Sequence, residues 1–174
     1  MSMLSIETVE QCIKELVQKF KENPNFFTSE SDVKCYLYHL LISKEIFRGN
    51  FLTKDKKSTG LVHTEYPSFK KPFVDLVILD HRNVAQYRLK RQRVMCAVEI
   101  KFCSIAHFNV EEREVRERLR ADKQAYKFFI YLFKKPSGWQ DFMDELLKNK
   151  EENEELLEST AQQVLVTRMR PEIS

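Results

Sequence analysis

The chain has 174 residues, of which 43% are hydrophobic and 32% are charged, a composition typical of one globular domain with its own core. A net charge of only +3 excludes a protein that attracts nucleic acid through a uniformly basic surface. No apolar run approaches the roughly 18–20 residues of a membrane span, and no signal peptide is recognisable, so we expect a cytoplasmic protein without a membrane partner. The four cysteines show no CxxC pair and no zinc-ligand spacing, which favours reduced thiols.

Two helices are predicted at the start of the chain. Apolar residues recur with helical spacing from Ile6 to Phe20, and this helix should end before Pro24. The second helix should begin near Thr28 or Ser29, because either hydroxyl can cap it, and should continue to about Phe47.

A polar loop and several short strands follow. Residues 50–60 are polar and lysine-rich, which predicts a loop. The segments 61–66, 73–79 and 94–102 are short and rich in β-branched and aromatic residues, which predicts three strands. A further short strand is predicted at 164–167.

The C-terminal part of the chain is predicted to be largely helical. Helical patterns extend over 110–133 and 139–157 and are separated by a Pro-Ser-Gly break at 136–138. The order of elements argues for a single mixed α/β domain over 1–174. Its parts are an N-terminal helix, a central core, and a C-terminal helix with a closing strand, over residues 1–24, 28–133 and 139–174.

Three charged residues lie inside the apolar strand segments. Asp75 is in the middle of one segment, and Glu99 and Lys101 lie on the same face of the next because they are two residues apart. Unpaired charges in a buried strand are costly, so these residues are expected to act together, typically around a metal ion. A simpler interpretation is a buried ion pair that only fixes strand register, although two acids against one lysine leave a surplus negative charge.

A fourth acid is expected to face the core from the second helix. Glu30 lies on the same helical stripe as Leu37 and Leu41. The alternative is that Glu30 only complements the helix dipole in the first turn.

This arrangement resembles the PD-(D/E)XK nuclease superfamily. That family carries an acid on an early helix, an aspartate on a core strand and a Glu-x-Lys on the next strand, and the matches are Glu30, Asp75 and residues 99–101. The resemblance covers roughly residues 28–133, and Val74 stands where the family has its proline. It implies a restriction-endonuclease-like three-layer α/β fold, in which helices flank a small central mixed β-sheet.

The resemblance also implies a chemistry. Asp75, Glu99 and the backbone carbonyl of Ile100 would bind Mg²⁺, with Mn²⁺ as a substitute. Lys101 would orient or deprotonate the attacking water, with its pKa lowered by the nearby dication, and Glu30 would bind metal-bound water or help to hold a second cation. The expected function is a metal-dependent nuclease, first of all a DNA endonuclease. The alternative is a non-catalytic nucleic-acid-binding or scaffold module on the same fold.

Three further residues are weaker site candidates. Glu65 either joins the acidic cluster or is a solvated residue at a strand end. His63 is either a general base or a histidine that is satisfied by hydrogen bonds or exposed. Gln124 is a candidate for contact with the site, because some family members place a glutamine at the corresponding point of the chain.

The charge distribution along the chain is uneven. Between residues 70 and 93 there are seven basic residues against two acids, which indicates a surface that binds nucleic acid or a solvated connection. Residues 141–158 hold eight acids against two lysines, and that face should avoid nucleic acid. The basic residues expected to contact nucleic acid are Lys70, Lys71, Arg88, Lys90 and Arg91.

A one-site nuclease of this size would need to be a homodimer to cut both strands at once.

Overall fold

The structure of the protein is a computed structural model. It contains two α-helices, three short 3₁₀ turns and eight β-strands among the residues it describes. The described residues are 2–66, 74–88, 93–103, 125–133, 143–144, 148, 152, 154–160 and 164–171.

The first helix, α1 (Ser2–Glu22), confirms the helix predicted from apolar spacing. Its apolar stripe is buried, and Val9, Leu16 and Phe20 have no exposed surface. Charged and other polar residues cover the rest of the helix surface, so the 21-residue helix is apolar on one side only. No helix in the described part of the chain is long and apolar enough to cross a membrane.

The second helix, α2 (Glu30–Ser43), begins where a cap was predicted. The Ser29 hydroxyl accepts a hydrogen bond from the Asp32 amide at 3.2 Å, and the Asp32 carboxylate accepts one from the Ser29 amide at 3.0 Å. This reciprocal capping box satisfies two amides that a helix start leaves free. The α-helix ends at Ser43, and a separate 3₁₀ turn at Glu45–Phe47 completes the segment that was predicted to be helical.

The segment predicted to be a loop at 50–60 contains a small antiparallel hairpin. Its strands are β1 (Phe51–Leu52) and β2 (Ser58–Thr59). The prediction of a loop was wrong at these positions. Two-residue strands carry too few residues to show a period in the sequence.

The core of the protein is a six-stranded mixed sheet with the order β3-β4-β5-β6-β8-β7. All neighbouring strands are antiparallel except β5 and β6, which are parallel. Helix α2 contacts β3, β4 and β5, and α1 packs against α2. The general α/β class is therefore confirmed. The strands are β3 (Val62–Tyr66), β4 (Val74–Leu79), β5 (Val94–Cys103), β6 (Tyr126–Phe133), β7 (Glu154–Thr160) and β8 (Val164–Met169).

Strand β6 corrects the prediction of a helix that continued to Phe133. Every residue from Lys127 to Phe133 is buried, because this strand lies in the middle of the sheet between β5 and β8. A continuous apolar run looks the same in a buried helix and in a strand that is covered on both faces. The remainder of the predicted helix, 110–124, lies outside the described residues.

Strand β7 corrects the end of the second C-terminal helix prediction. Met143, Asp144 and Lys148 are helical, but Glu154–Thr160 pairs with β8 at the edge of the sheet. The Glu- and Leu-rich sequence of this segment favours a helix. Hydrogen bonding to β8 outweighs that preference.

Candidate active site

The sheet brings the two predicted strand carboxylates together. In the antiparallel ladder between β4 and β5, Leu76 is opposite Val98. Extending this register by one residue places Asp75 opposite Glu99. Two carboxylates directly across a ladder repel each other, so this pairing destabilises the sheet unless positive charge offsets it.

Glu65 extends this row of acids onto a third strand. The residues on both sides of Glu65 pair with the residues on both sides of Asp75, so Glu65 on β3 faces Asp75 on β4. Glu65 has a φ of 50°, in the left-handed region that a residue with a side chain rarely adopts. The side chain of Glu65 is 69% exposed. The acid predicted as a weaker candidate therefore lies at the open edge of the cluster.

Helix α2 supplies the fourth acid. A carboxylate oxygen of Glu30, Oε2, accepts a hydrogen bond of 3.4 Å from the Phe102 amide. Its other oxygen lies 4.0 Å from Nζ of Lys101. The side chain of Glu30 is half-buried, with 38% exposed, so it reaches the edge of the core as its helical stripe predicted.

Both oxygens of Asp75 have a partner within the site. Oδ2 accepts a hydrogen bond of 2.8 Å from the Ile100 amide, which ties Asp75 to the middle residue of the Glu-x-Lys segment. Oδ1 lies 3.1 Å from Nζ of Lys34 on α2. Asp75 is buried, with 8% of its surface exposed.

Glu99 is only partly satisfied. Its Oε1 lies 3.1 Å from Nζ of Lys101. Its Oε2 is buried and has no hydrogen-bond partner among the described residues, although only 6% of the side chain is exposed. Burial and the negative charge of Asp75 raise the pKa of Glu99 to about 7, against the opposing effects of Lys101 and of the backbone amide of Asp75. A buried carboxylate oxygen that lacks a hydrogen bond of normal geometry is rare, and a ligand that carries positive charge would satisfy it.

Lys34 is a site residue that the sequence prediction missed. Its ammonium lies 3.1 Å from Asp75 and 3.4 Å from Glu65, and 13% of its side chain is exposed. The signal in the sequence was its position four residues after Glu30, which places both side chains on one face of α2. The positive charge of Lys34 offsets the negative charge that Asp75 and Glu99 would leave if Lys101 were their only partner.

The cluster carries more acids than bases. Four carboxylates, on Glu30, Glu65, Asp75 and Glu99, surround two ammonium groups, on Lys34 and Lys101. With every group ionised, four negative charges against two positive charges leave a net charge of −2, which one divalent cation would neutralise.

The remaining pKa shifts follow from this crowding. Burial raises the pKa of Glu30, with Lys101 opposing the shift. Burial by itself would lower the pKa of Lys101, but Glu99, Glu30 and Asp75 outweigh it and the pKa is raised. The lowered pKa expected for Lys101 applies to a site that holds a dication, and it stays a prediction.

The residues present fit a hard divalent cation that keeps some of its waters. No group of three or more His, Cys, Asp and Glu side chains is close enough to ligate a metal within the part of the chain that the structure describes. Mg²⁺ does not require such a group, because one or two carboxylates with waters and substrate oxygens complete its coordination. Asp75 and Glu99 supply two carboxylates, and the unpartnered Oε2 of Glu99 is an oxygen that such a cation would satisfy.

His63 makes hydrogen bonds to residues that are close to it in the chain. Its Nε2 lies 3.0 Å from the carbonyl oxygen of Gly60 and 3.1 Å from the hydroxyl of Thr59. Burial lowers its pKa, so the ring favours the neutral form. The interpretation of His63 as a locally satisfied histidine is therefore supported by these contacts.

One of the predicted nucleic-acid contacts lies among the described residues. Arg88 is exposed, at the end of the segment that follows β4. The others, and the candidate Gln124, lie outside the described residues; the basic ones are Lys70, Lys71, Lys90 and Arg91.

The acidic segment 141–158 is not a uniformly solvated face. Glu154 is buried in β7, with 2% of its surface exposed. Glu155 forms ion pairs with Arg168 at 2.5 Å and Arg170 at 2.8 Å, which lower its pKa. The pairing of β7 with β8 at the sheet edge buries Glu154 and places Glu155 beside two arginines.

Comparisons of the chain with protein-family models, with curated proteins and with solved structures gave no match. The geometry of this cluster is therefore the basis for inferring a function.

Proposed function

We propose that the protein is a metal-dependent nuclease that hydrolyses phosphodiester bonds, with DNA as its substrate and endonucleolytic cleavage as its mode of action. The observation that carries the proposal is the unpartnered, buried Oε2 of Glu99 within a cluster that also contains Glu30, Asp75 and Lys101. If these charged residues served only stability, apolar side chains in their place would leave the folded state at least as stable.

In this proposal, Asp75 and Glu99 hold Mg²⁺ or Mn²⁺ together with the carbonyl of Ile100. When bound, the cation supplies charge neutralisation at the phosphate and a water of lowered pKa. The Ile100 amide fixes the Asp75 carboxylate by its 2.8 Å hydrogen bond, so the acid is oriented before any ligand arrives.

Lys101 and Glu30 act on the attacking water and the phosphate. Lys101 lies on the same side of β5 as Glu99, at 3.1 Å, so its ammonium is positioned beside the proposed ligand. There it orients the attacking water and offsets negative charge that develops on the phosphate. Glu30, 4.0 Å from the same ammonium, holds Lys101 toward the site and accepts hydrogen bonds from water.

The same geometry supports a restriction-endonuclease-like fold as part of this proposal. An acid on α2, an aspartate on β4 and a Glu-x-Lys on β5 converge at one point of a mixed sheet. A homodimer would allow both strands of a duplex to be cut together. The cost of keeping the surplus of buried charge speaks against a non-catalytic binding or scaffold module.

The test is cleavage of a panel of substrates with Mg²⁺ or Mn²⁺. The panel contains supercoiled plasmid, linear duplex, single strand, four-way junction and RNA, and the proteins are wild type, Asp75→Asn and Asp80→Asn. Asp80 is the matched control because it is also buried, directly after the same strand, but its oxygens bind Arg82 and Asn83 instead.

We expect wild type and Asp80→Asn to cleave, and Asp75→Asn to lose at least about a hundredfold in rate. The identity of the cleaved substrate would also decide between DNA and RNA. No cleavage by wild type on any substrate, or equal cleavage by Asp75→Asn, would contradict the proposed function.

A further inference from the structure

We propose that Lys34 is a displaceable internal cation that occupies Asp75 until a divalent cation binds, and that Glu65 then holds the displaced ammonium. Lys34 would thus be a positioning residue that sets how tightly the site binds metal. The inference rests on the proposed function, since it assumes that Asp75 is a metal ligand.

The ammonium of Lys34 lies beside Oδ1 of Asp75, the oxygen that would ligate a metal. Asp75 offers two oxygens, and one lone pair of Oδ2 already accepts a hydrogen bond of 2.8 Å from the Ile100 amide, so Oδ1 is the oxygen that binds no backbone amide. The remaining oxygen, Oδ1, lies 3.1 Å from Nζ of Lys34. A divalent cation that uses Oδ1 would therefore meet the ammonium at close range, and like charges at that separation repel strongly when partly buried.

Lys34 has a second acceptor already within reach. Its Nζ lies 3.4 Å from Oε1 of Glu65, whose side chain is 69% exposed. Only a small movement is needed to leave Asp75 and remain paired with Glu65, because a lysine side chain rotates about four flexible bonds. The exposure of Glu65 lets water complete the hydration of the displaced ammonium.

The backbone conformation of Glu65 supports a functional role for this residue. Its φ of 50° is in the left-handed region, although the residue lies within β3 and is not a glycine. Such strained positions persist where the surrounding structure holds them, and they concentrate at functional sites. Here the conformation accompanies a carboxylate at the edge of the site, beside Lys34.

The arrangement explains how the acids coexist without metal. Asp75 and Glu99 occupy facing positions on neighbouring strands, and each has one ammonium within 3.1 Å, Lys34 for Asp75 and Lys101 for Glu99. Lys34 thus stabilises the metal-free site and weakens metal binding by the same contact.

The experiment is a calorimetric titration of the folded proteins with Mn²⁺. The proteins are wild type, Lys34→Met, Lys34→Arg, Glu65→Gln and the double variant Lys34→Met/Glu65→Gln. Methionine keeps an unbranched side chain of similar length without the charge, and arginine keeps the charge.

We expect Lys34→Met to bind Mn²⁺ about tenfold more tightly than wild type and Lys34→Arg to stay within about twofold. Glu65→Gln should bind about threefold more weakly, because the displaced ammonium loses its acceptor. In the double variant, Glu65→Gln should have no further effect, since there is no ammonium left to hold.

Two controls make each outcome decisive. Lys44→Met removes another ion-paired lysine that follows α2, at 2.9 Å from Glu15, and should leave Mn²⁺ affinity unchanged. Asp75→Asn should abolish binding. If Lys34→Met does not fold, weaker binding by Glu65→Gln still tests the inference, and unchanged binding by it would overturn the inference.

Mn²⁺ binding by wild type that is lost in Asp75→Asn but is not tighter in Lys34→Met would overturn the role of Lys34 and leave the proposed metal site standing. Absence of Mn²⁺ binding by wild type would overturn both.

Discussion

The two ends of strand β4 show two ways of burying a carboxylate. Asp80, directly after the strand, is 3% exposed and its oxygens accept four hydrogen bonds, three from Arg82 and one from Asn83. Burial opposes ionisation, but these bonds and the charge of Arg82 lower the pKa of Asp80. A buried acid with this many donors is a structural element that stabilises a turn.

Asp75, near the other end, belongs to a cluster whose acids exceed its bases. Its cross-strand neighbour Glu99 keeps one buried oxygen without a partner in the described part of the chain, and its pKa is raised to about 7. The same strand therefore shows that this fold can satisfy a buried acid when only stability is required. The unpartnered oxygen of Glu99, together with the surplus of acids around it, is what points to a ligand.

The largest expected effect comes from Lys101, whose role would separate catalysis from metal binding. Lys101→Met should lower the cleavage rate by about 10²- to 10⁴-fold, because the attacking water loses its orienting group. Binding of Mn²⁺ should be retained, since both proposed carboxylate ligands remain. Cleavage rates and Mn²⁺ titrations on the same preparation measure both quantities, and an unchanged rate would remove Lys101 from the proposed mechanism.

The pH dependence of stability should come next in size and should differ between the two ends of β4. The pKa of Glu99 is about 7 in the folded chain and 4.5 ordinarily, so between these values the folded state keeps a proton that the unfolded chain releases. The free energy of unfolding of the metal-free protein should therefore fall as pH rises from about 4.5 to about 7, with Glu99 contributing up to about 3 kcal/mol. Glu99→Gln should remove this contribution, as measured by urea unfolding with a chelator present.

Asp80 provides the control for that measurement, with the smallest expected effect. Its folded pKa lies below the ordinary 3.8, so its stabilisation is present above that value and is lost as pH falls through the folded pKa. Asp80→Asn should lower the free energy of unfolding by about 2 kcal/mol at neutral pH and leave the slope between about pH 4.5 and 7 unchanged. A Glu99→Gln variant with the wild-type slope would show that Glu99 is not the group responsible.

The parts of the fold that could be predicted are those with a clear period or a distinctive composition. Helix α1 has an apolar stripe, and the strands around Asp75 and Glu99 are short apolar runs with polar boundaries. Strand β6 was mistaken for helix because it is buried on both faces and shows no alternation. Strand β7 was mistaken because pairing with β8 decides its structure.

The candidate site was predictable to the extent that burial and charge conflict in the sequence. Asp75, Glu99 and Lys101 interrupt apolar runs, and Glu30 lies on an apolar helical stripe, so all four could be selected. Lys34 could not be selected in the same way, because a lysine on a half-exposed helix face is common. Its role depends on the approach of α2 to β4, which no local pattern records.

Thermal unfolding with and without Mn²⁺ is the sharpest test of whether Asp75 and Glu99 form a metal site. At about one hundred times its dissociation constant, a ligand that binds only the folded state adds about 2.7 kcal/mol of stability. We expect a clear rise in the melting temperature of wild type and no rise for Asp75→Asn or Glu99→Gln. No rise for wild type, or an equal rise for all three proteins, would contradict the proposed metal site.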